Sequence, residues 1–278
     1  MAAVRSLACF ILVFGVNLGF ADPVRPADRA RALLDSQLAA INDDTAFKAT
    51  FDKDAVVLGY NRHDALAGLR IETVFVGGSP HFTLKGTKLT SFVAGGNDAV
   101  VWFTAEVAVT IQGQEPGDSW HHETRAMRVT EVAIGDVGWK AVAAVIDQPH
   151  GALQESYAEA VPILSPTTAG PLAALLGSPS KLGAALGKDA NVFVLGSDAN
   201  ERAIGGPAAT NLVKRWSKLV VSVDGKVREV TAKRWGFAQA NVRYVARNKT
   251  YRMRGLLVAL PMSDGKWDVV AVHYVQDP

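Results

Sequence analysis

Cysteine is almost missing from this chain: Cys9 is the only one in 278 residues. It lies in an N-terminal segment that reads as removable, so the rest of the chain has no thiol. A disulfide framework, a thiolate nucleophile and a cysteine metal site are thereby excluded from that part. Long apolar runs are also missing after residue 21, where no stretch approaches the ~20 residues of a membrane-spanning helix. Phosphate loops are not expected, because Gly77-Gly78, Gly95-Gly96 and Gly205-Gly206 lack the strand–loop–helix setting such loops need. No Gly-x-Ser-x-Gly elbow occurs, and no motif points to nucleic acid. What remains is an ordinary globular balance, 49% hydrophobic and 20% charged, which argues against disorder and coiled coil.

The first 21 residues differ in kind. Arg5 is their only charge, and Leu7 to Phe20 is almost wholly apolar. Gly19 and Ala21 then sit at small-x-small spacing, ahead of Asp22-Pro23. A positive start, a short apolar run and a small-residue site together predict a secretory signal peptide over 1–21. Export to the periplasm or outside the cell follows as the expectation. Charge is uneven in the remainder. Residues 22–150 hold 12 Lys+Arg against 17 Asp+Glu, and residues 168–278 hold 16 against 8. Halves of opposite sign can steer a partner, attract an anionic ligand or dock on each other.

The chain repeats itself. Lys53-Asp54-Ala55-Val56-Val57-Leu58-Gly59 is answered, with two residues inserted, by Lys188-Asp189-Ala190-Asn191-Val192-Phe193-Val194-Leu195-Gly196. Met127-Arg128 is answered by Met253-Arg254. The run from Trp139 to Pro149 is answered by that from Trp267 to Pro278. Three matches in the same order predict a duplication. Its copies span 22–150 and 168–278, and the Pro- and Ser/Thr-containing stretch 151–167 is the linker.

Each copy starts helical and ends in strands. Leu33, Leu34, Leu38 and Ile41 have helical spacing after Pro26, and Thr45 to Phe51 adds a turn or two. In the second copy Pro171–Leu176, Pro179–Leu186 and a segment from Gly205 to Trp216 read as helices. β-rich runs cover 88–93, 99–111, 121–134 and 139–147 in the first copy. In the second they cover 219–223, 227–233, 237–246, 251–260 and 267–275. Asp224-Gly225 and Asp264-Gly265 carry hairpin-turn chemistry. Helices first and antiparallel strands after predict an α+β fold.

The second copy resembles the SnoaL-like branch of the nuclear-transport-factor-2-like superfamily, which includes ketosteroid-isomerase-like enzymes. The resemblance is carried by Lys188-Asp189-Ala190 at the start of a strand, Gly206 ahead of a helix ending near Trp216, and the strand Trp267-x5-His273. The first copy resembles a degenerate version of the same domain, with no clear Gly-helix-Trp segment. The resemblance implies two tandem cone-shaped domains, each with helices packed on a strongly curved antiparallel sheet. The cone would be the place for a small ligand. Fold alone does not fix a reaction, because the superfamily holds enzymes, binders and interaction modules.

His273 is the first candidate for chemistry. Strict alternation puts Val269, Ala271, His273 and Val275 on one face, and the resemblance makes that face the concave one. A histidine there can act as general acid or base, since it titrates near neutral pH. Tyr244 joins it as a candidate catalytic hydroxyl, with Tyr251 and Tyr274 as further donors or as plain sheet aromatics. Trp216, Tyr251, Arg252, Arg254 and Trp267 are the expected ligand contacts. Arg252 and Arg254, on a hairpin with Arg243, Arg247 and Lys249, suit an anionic group or the acidic first copy. A carboxylate base of the isomerase kind is not found: Asp268 falls opposite His273, and Asp54 and Asp189 sit where strands begin. His121-His122-Glu123 offers at most two converging ligands, so no metal is expected, and no cofactor. The expected partners are a small hydrophobic or anionic ligand and an internal pseudo-dimer or a homodimer, with no nucleic acid. Two functions remain open. One is an exported non-catalytic binder. The other is a lyase, isomerase or cyclase using His273 on a small hydrophobic substrate.

Overall fold

The computed structural model describes residues 24–59, 65–67, 82–148 except 115, 118, 136 and 137, and 170–276 except 247 and 248. The signal segment 1–21, the linker 151–167 and Arg247 lie outside the described residues. No helix among those described is long and apolar enough to cross a membrane.

Two helices open the first half, α1 (Pro26–Ala39) and α2 (Asp44–Lys48). Pro26 stands at the first turn of α1, where its missing N–H costs nothing. Asp43 caps α2 by accepting from the Ala46 backbone N–H at 3.0 Å. Six strands follow: β1 (Phe51–Leu58), β2 (Ala65–Ala67), β3 (Phe82–Gly96), β4 (Val100–Gly113), β5 (His121–Ile134) and β6 (Lys140–Asp147). The second half has α3 (Pro171–Leu176), α4 (Pro179–Ala185), β7 (Phe193–Leu195), β8 (Arg202–Ile204) and α5 (Gly206–Trp216). It ends with β9 (Val220–Thr231), β10 (Gly236–Ala246), β11 (Lys249–Pro261) and β12 (Trp267–Gln276). The Glu229 carboxylate on β9 accepts from the Leu172 and Ala173 backbone N–H groups at 3.3 and 2.8 Å, satisfying free donors at the start of α3.

The strand orders are β2-β1-β6-β5-β4-β3 and β8-β7-β12-β11-β10-β9. They are the same order written twice. Each sheet has a single parallel pair at the same place, β1 with β6 and β7 with β12. The duplication therefore extends to topology and gives an α+β chain with two sheets.

Each sheet uses its two faces differently. On β4, Val101, Phe103, Ala105, Val107, Val109 and Ile111 share a core with Ala30, Leu33 and Leu34 of α1. On β10, Ala238, Ala240, Val242 and Tyr244 share one with Leu172, Leu176, Leu182 and Leu212 of the second half's helices. The other faces meet each other. Val56, Leu58, Trp102, Val132 and Val145 pack with Phe193, Leu195, Phe237, Leu256 and Val258 in one buried cluster drawn from both sheets. Burial of this kind stabilises by roughly 25 cal/mol per Å² of apolar surface, so the copies are one packed unit rather than beads on a string.

Polar groups tie the same interface. Arg128 Nη1 on β5 donates to the carbonyl of Gly196 at 3.1 Å, and its counterpart Arg254 Nη1 on β11 donates to that of Gly59 at 3.0 Å. Gly59 and Gly196 are equivalent residues of the repeat, so this pair obeys a twofold relation between copies. Arg228 donates to Val142 O at 2.8 Å and Asp54 O at 3.0 Å, and Gln239 to Val56 O at 3.0 Å. Arg202 pairs with Glu106 at 3.3 Å, and Arg234 pairs with Asp98. Basic side chains of the second half thus dock on acidic groups and carbonyls of the first.

Two local expectations are corrected. Asp224-Gly225 is not a hairpin turn: β9 runs through it, and the jump in pairing from Val223↔Val242 to Val227↔Ala240 makes residues 224–226 a bulge. The strands expected at 219–223 and 227–233 are one strand. Asp264-Gly265 does turn, with Gly265 at φ 80° and Gly265 N donating to Met262 O at 3.1 Å. The second correction concerns β12. Between Val258 and Ala259 its partners jump from Ala271 to Val269, leaving Val270 as an extra residue. Strict alternation fails there. Val269 joins the helix-side core, while Ala271 and Val275 join the cluster between the sheets. Strand β6 has the same bulge at the equivalent Val142.

Candidate functional site

On the helix side of the second sheet lies a cavity of about 330 Å³. Its walls come from the start of α4 (Pro179), the end of β7 (Gly196), the residue before β8 (Glu201), the end of α5 (Trp216) and four strands. Leu219 and Val221, Val242 and Tyr244, Tyr251 and Met253, and Tyr274 complete it.

Strand pairing sets the aromatic wall. Tyr244 and Tyr251 are directly opposite each other on β10 and β11, with rings stacked at 4.7 Å and 10°. Trp216 meets Tyr274 edge to face at 5.6 Å. Tyr274 donates its hydroxyl to Leu176 O at 2.9 Å, which fixes the ring against α3. Burial pushes the Tyr244 and Tyr274 phenols well above their ordinary value, so both stay neutral. Glu201 is the carboxylate of the site. Its Oε1 accepts from Trp216 Nε1 at 2.9 Å. A side chain at Gly196 would collide with Glu201 Oε2, so this position needs glycine for close approach.

The equivalent place in the first copy is filled. Cross-strand pairing aligns Val107↔Met127 with Val242↔Met253, and Val109↔Arg125 with Tyr244↔Tyr251. Tyr274 corresponds to Ile146. Val107, Val109, Met127, Leu34, Gln37 and Glu131 surround a void of only about 10 Å³, room for no more than one water. Glu131 is buried there, with Gln37 Nε2 donating to its Oε2 at 2.9 Å. Burial raises its carboxyl to about 8, against the pull of that hydrogen bond.

The residues singled out in the sequence divide between two places. Tyr244, Trp216 and Tyr251 line the cavity. Trp267 does not: it packs beside Gly236 and Leu172 in the second core. Arg254 is buried between the sheets with Gly59. Arg252 is paired across the strands with Arg243, and neither lines the cavity. His273 is fully buried on the interface side. Its Nδ1 hydrogen-bonds Thr130 Oγ1 of the first copy at 2.9 Å, and its Nε2 lies 3.8 Å from Asp147 Oδ2. Burial lowers its pKa, with Asp147 opposing. The bulge at Val270 is the physical reason that the expected concave position is wrong. His122 bonds Gln112 at 2.7 Å and Glu123 pairs with Arg125, so this stretch is a polar strand face.

Sequence reasoning missed Glu201, Met253 and Gly196. Glu201 lies in an irregular segment between two three-residue strands, where no periodicity marks a facing. Tyr274, expected as a further donor or a plain sheet aromatic, lines the cavity because the bulge at Val270 turns it to the helix side.

No family model matches this chain, and no curated protein matches it. Solved structures do. The hub domain of CaMKII from S. rosetta is 20% identical, with 45% of this chain and 98% of that chain covered at a TM-score of 0.34. A ketosteroid isomerase-like protein from Erwinia carotovora atroseptica is 15% identical, covering 45% and 96% at 0.36. An NTF2-like protein from Cytophaga hutchinsonii is 16% identical, covering 43% and 94% at 0.33. The solved structures to which this chain is similar thus include ketosteroid isomerase-like and NTF2-like proteins, each spanning less than half of it.

Proposed function

We propose that this is an exported, non-catalytic ligand-binding protein built from two cone-shaped domains, 22–150 and 168–278, joined by the linker 151–167. The second domain holds a small, largely apolar molecule, and the first is its scaffold. One observation carries the reading: at equivalent positions of the same topology, one copy has a cavity of about 330 Å³ and the other is packed shut. The volume is that of small-molecule sites, which begin at roughly 300 Å³. The first copy instead supplies the surface that covers the second sheet's other face. The apolar segment 7–20 and the thiol-free remainder support export.

The alternative of a lyase, isomerase or cyclase was framed on His273 as general acid/base. That side chain faces Thr130 on the far side of the sheet from the cavity, so a molecule held in the cavity does not touch it. Native mass spectrometry of the protein purified from its own host tests the binding reading. One retained small molecule per chain is expected, and Val242→Trp, which fills the cavity, should abolish it. A molecule retained equally by both forms, or turnover that depends on His273, would refute the proposal.

A further inference from the structure

We infer that the ligand of the second-copy cavity is an organic cation, a protonated amine or quaternary ammonium carried on an apolar body. This rests on the binding reading above and adds the ligand's charge. Among the residues lining the cavity, Glu201 alone belongs to a charged type, and no lysine or arginine lines it. Among the described residues Glu201 has no ion-pair partner; its one side-chain hydrogen bond is from Trp216 Nε1. The neighbouring cation in sequence, Arg202, points away to Glu106 and Ser91 of the first copy.

Four aromatic rings, Trp216, Tyr244, Tyr251 and Tyr274, line the same cavity as this carboxylate. Ring faces carry negative potential, and a cation within about 6 Å of a ring centroid is attracted to it. Carboxylate and rings therefore favour the same sign. An uncharged ligand filling the cavity would strip water from Glu201 and leave it uncompensated. An anionic ligand would add repulsion. A cation satisfies the carboxylate while its apolar body takes the place of water against Val242, Met253 and Leu219. The arginines that suggested an anion from sequence, Arg252 and Arg254, are not part of the cavity.

Isothermal titration of the dialysed protein with 2-naphthylmethylammonium, 2-naphthylmethanol and 2-naphthoate separates the possibilities, since one ring system carries a positive, zero or negative charge. The ammonium should bind at least about tenfold tighter than the alcohol, given cation–π attraction and a desolvated counter-charge. The naphthoate should bind weakest. Glu201→Gln keeps an acceptor for Trp216 and should remove the ammonium's advantage over the alcohol, weakening the ammonium while the alcohol binds at least as tightly as before. Tyr244→Leu should shrink the ammonium's advantage without altering any charge. Equal affinities, a tightest naphthoate, or an undiminished ammonium preference in Glu201→Gln would overturn the charge assignment and leave the binding reading standing. Failure of all three probes to bind, with no retained molecule in native mass spectrometry, would overturn the binding reading and this inference with it.

Discussion

Glu131 should make this protein less stable as pH rises through neutrality, and removing its charge should reverse that. In the folded chain its carboxyl titrates at about 8, against an ordinary value of 4.5, because it is buried. Below pH 4.5 the carboxyl is protonated in folded and unfolded chains alike, and it exerts no pH-dependent effect. Between 4.5 and 8 the unfolded chain gives up the proton while the folded chain holds it, so unfolding gains free energy at each step. Above 8 both are ionised and the loss is complete. At about 1.4 kcal/mol per pH unit, the gap corresponds to a destabilisation on the order of 5 kcal/mol. Glu131→Gln keeps a partner for Gln37 and has no proton to lose. Urea unfolding of the two proteins at pH 4.5, 6, 7 and 8.5 should give near-equal stability at the lowest pH and a growing advantage for the variant above it. A constant difference across the series, or a variant less stable at pH 8.5, would refute the assignment of a buried, neutral carboxyl.

Other expectations concern the interface and the cavity. His273→Val should destabilise by about 1–3 kcal/mol, the cost of leaving a buried partner unsatisfied, and Thr130→Leu by a similar amount. The double variant should recover the part of the loss due to the orphaned Thr130–His273 bond, because the symmetry-related pair is already Val145 and Leu256 within the same cluster, but not the part due to Asp147, which loses its imidazole neighbour in either case; a double-mutant cycle by urea unfolding measures this coupling. Since burial lowers the His273 pKa, its neutral form contributes stability that is present above pH ~6.5 and lost as pH falls below it. Wild type, but not the double variant, should show this acid-side loss in thermal scans. Arg254→Met and Arg128→Met should each cost about 2–4 kcal/mol, as buried charge-assisted bonds do, measured by chemical denaturation. Gly196→Ala should destabilise by about 1–3 kcal/mol, since the added Cβ would meet not only the Glu201 carboxylate but also Glu201 Cβ at 2.8 Å, which no side-chain rotation removes. It should break the bond to Trp216, which indole Nε1–H NMR would register.

Much of the fold was legible because it is written twice. A Met-Arg pair, a Trp-headed strand and a Leu-Gly ending recur in order, and each falls at an equivalent position of identical strand orders. Helix starts were legible where proline marks them, at Pro26, Pro171 and Pro179. What misled was the bulge. One extra residue at Val270 reverses the facing of everything after it, so Tyr274 turns to the cavity and His273 to the interface. A single sequence gives no local sign of it, since Val270 has the same β-forming character as its neighbours. Asp224-Gly225 misled in the opposite sense, because turn chemistry also suits a bulge inside a long strand. Glu201 escaped because its role depends on a contact with Trp216 fifteen residues away and on the space left by Gly196.

Why one copy is hollow and the other solid can be argued from the side chains that line the same place. In the first copy α1 is one continuous helix of 14 residues, about 21 Å long at 1.5 Å per residue. Leu34 and Gln37 on it reach over the ends of β4 and β5 and fill the space beside Val109 and Glu131. In the second copy two short pieces of helix, of 6 and 7 residues, precede the sheet, and the second stands where α2 stands in the first copy, since Phe51 pairs with Ala141 and Leu186 with the equivalent Val269. The first piece stops at Leu176, whose carbonyl is held by Tyr274, and the second starts at Pro179 on the cavity rim. Tyrosines replace Val109 and Ile146 on the strands, so the opening is lined with rings rather than closed by them. Leu34 and Gln37 on α1 close the first copy together with its strand residues. Exchanging side chains on the strands alone would therefore not hollow the first copy, because α1 would still occupy the space.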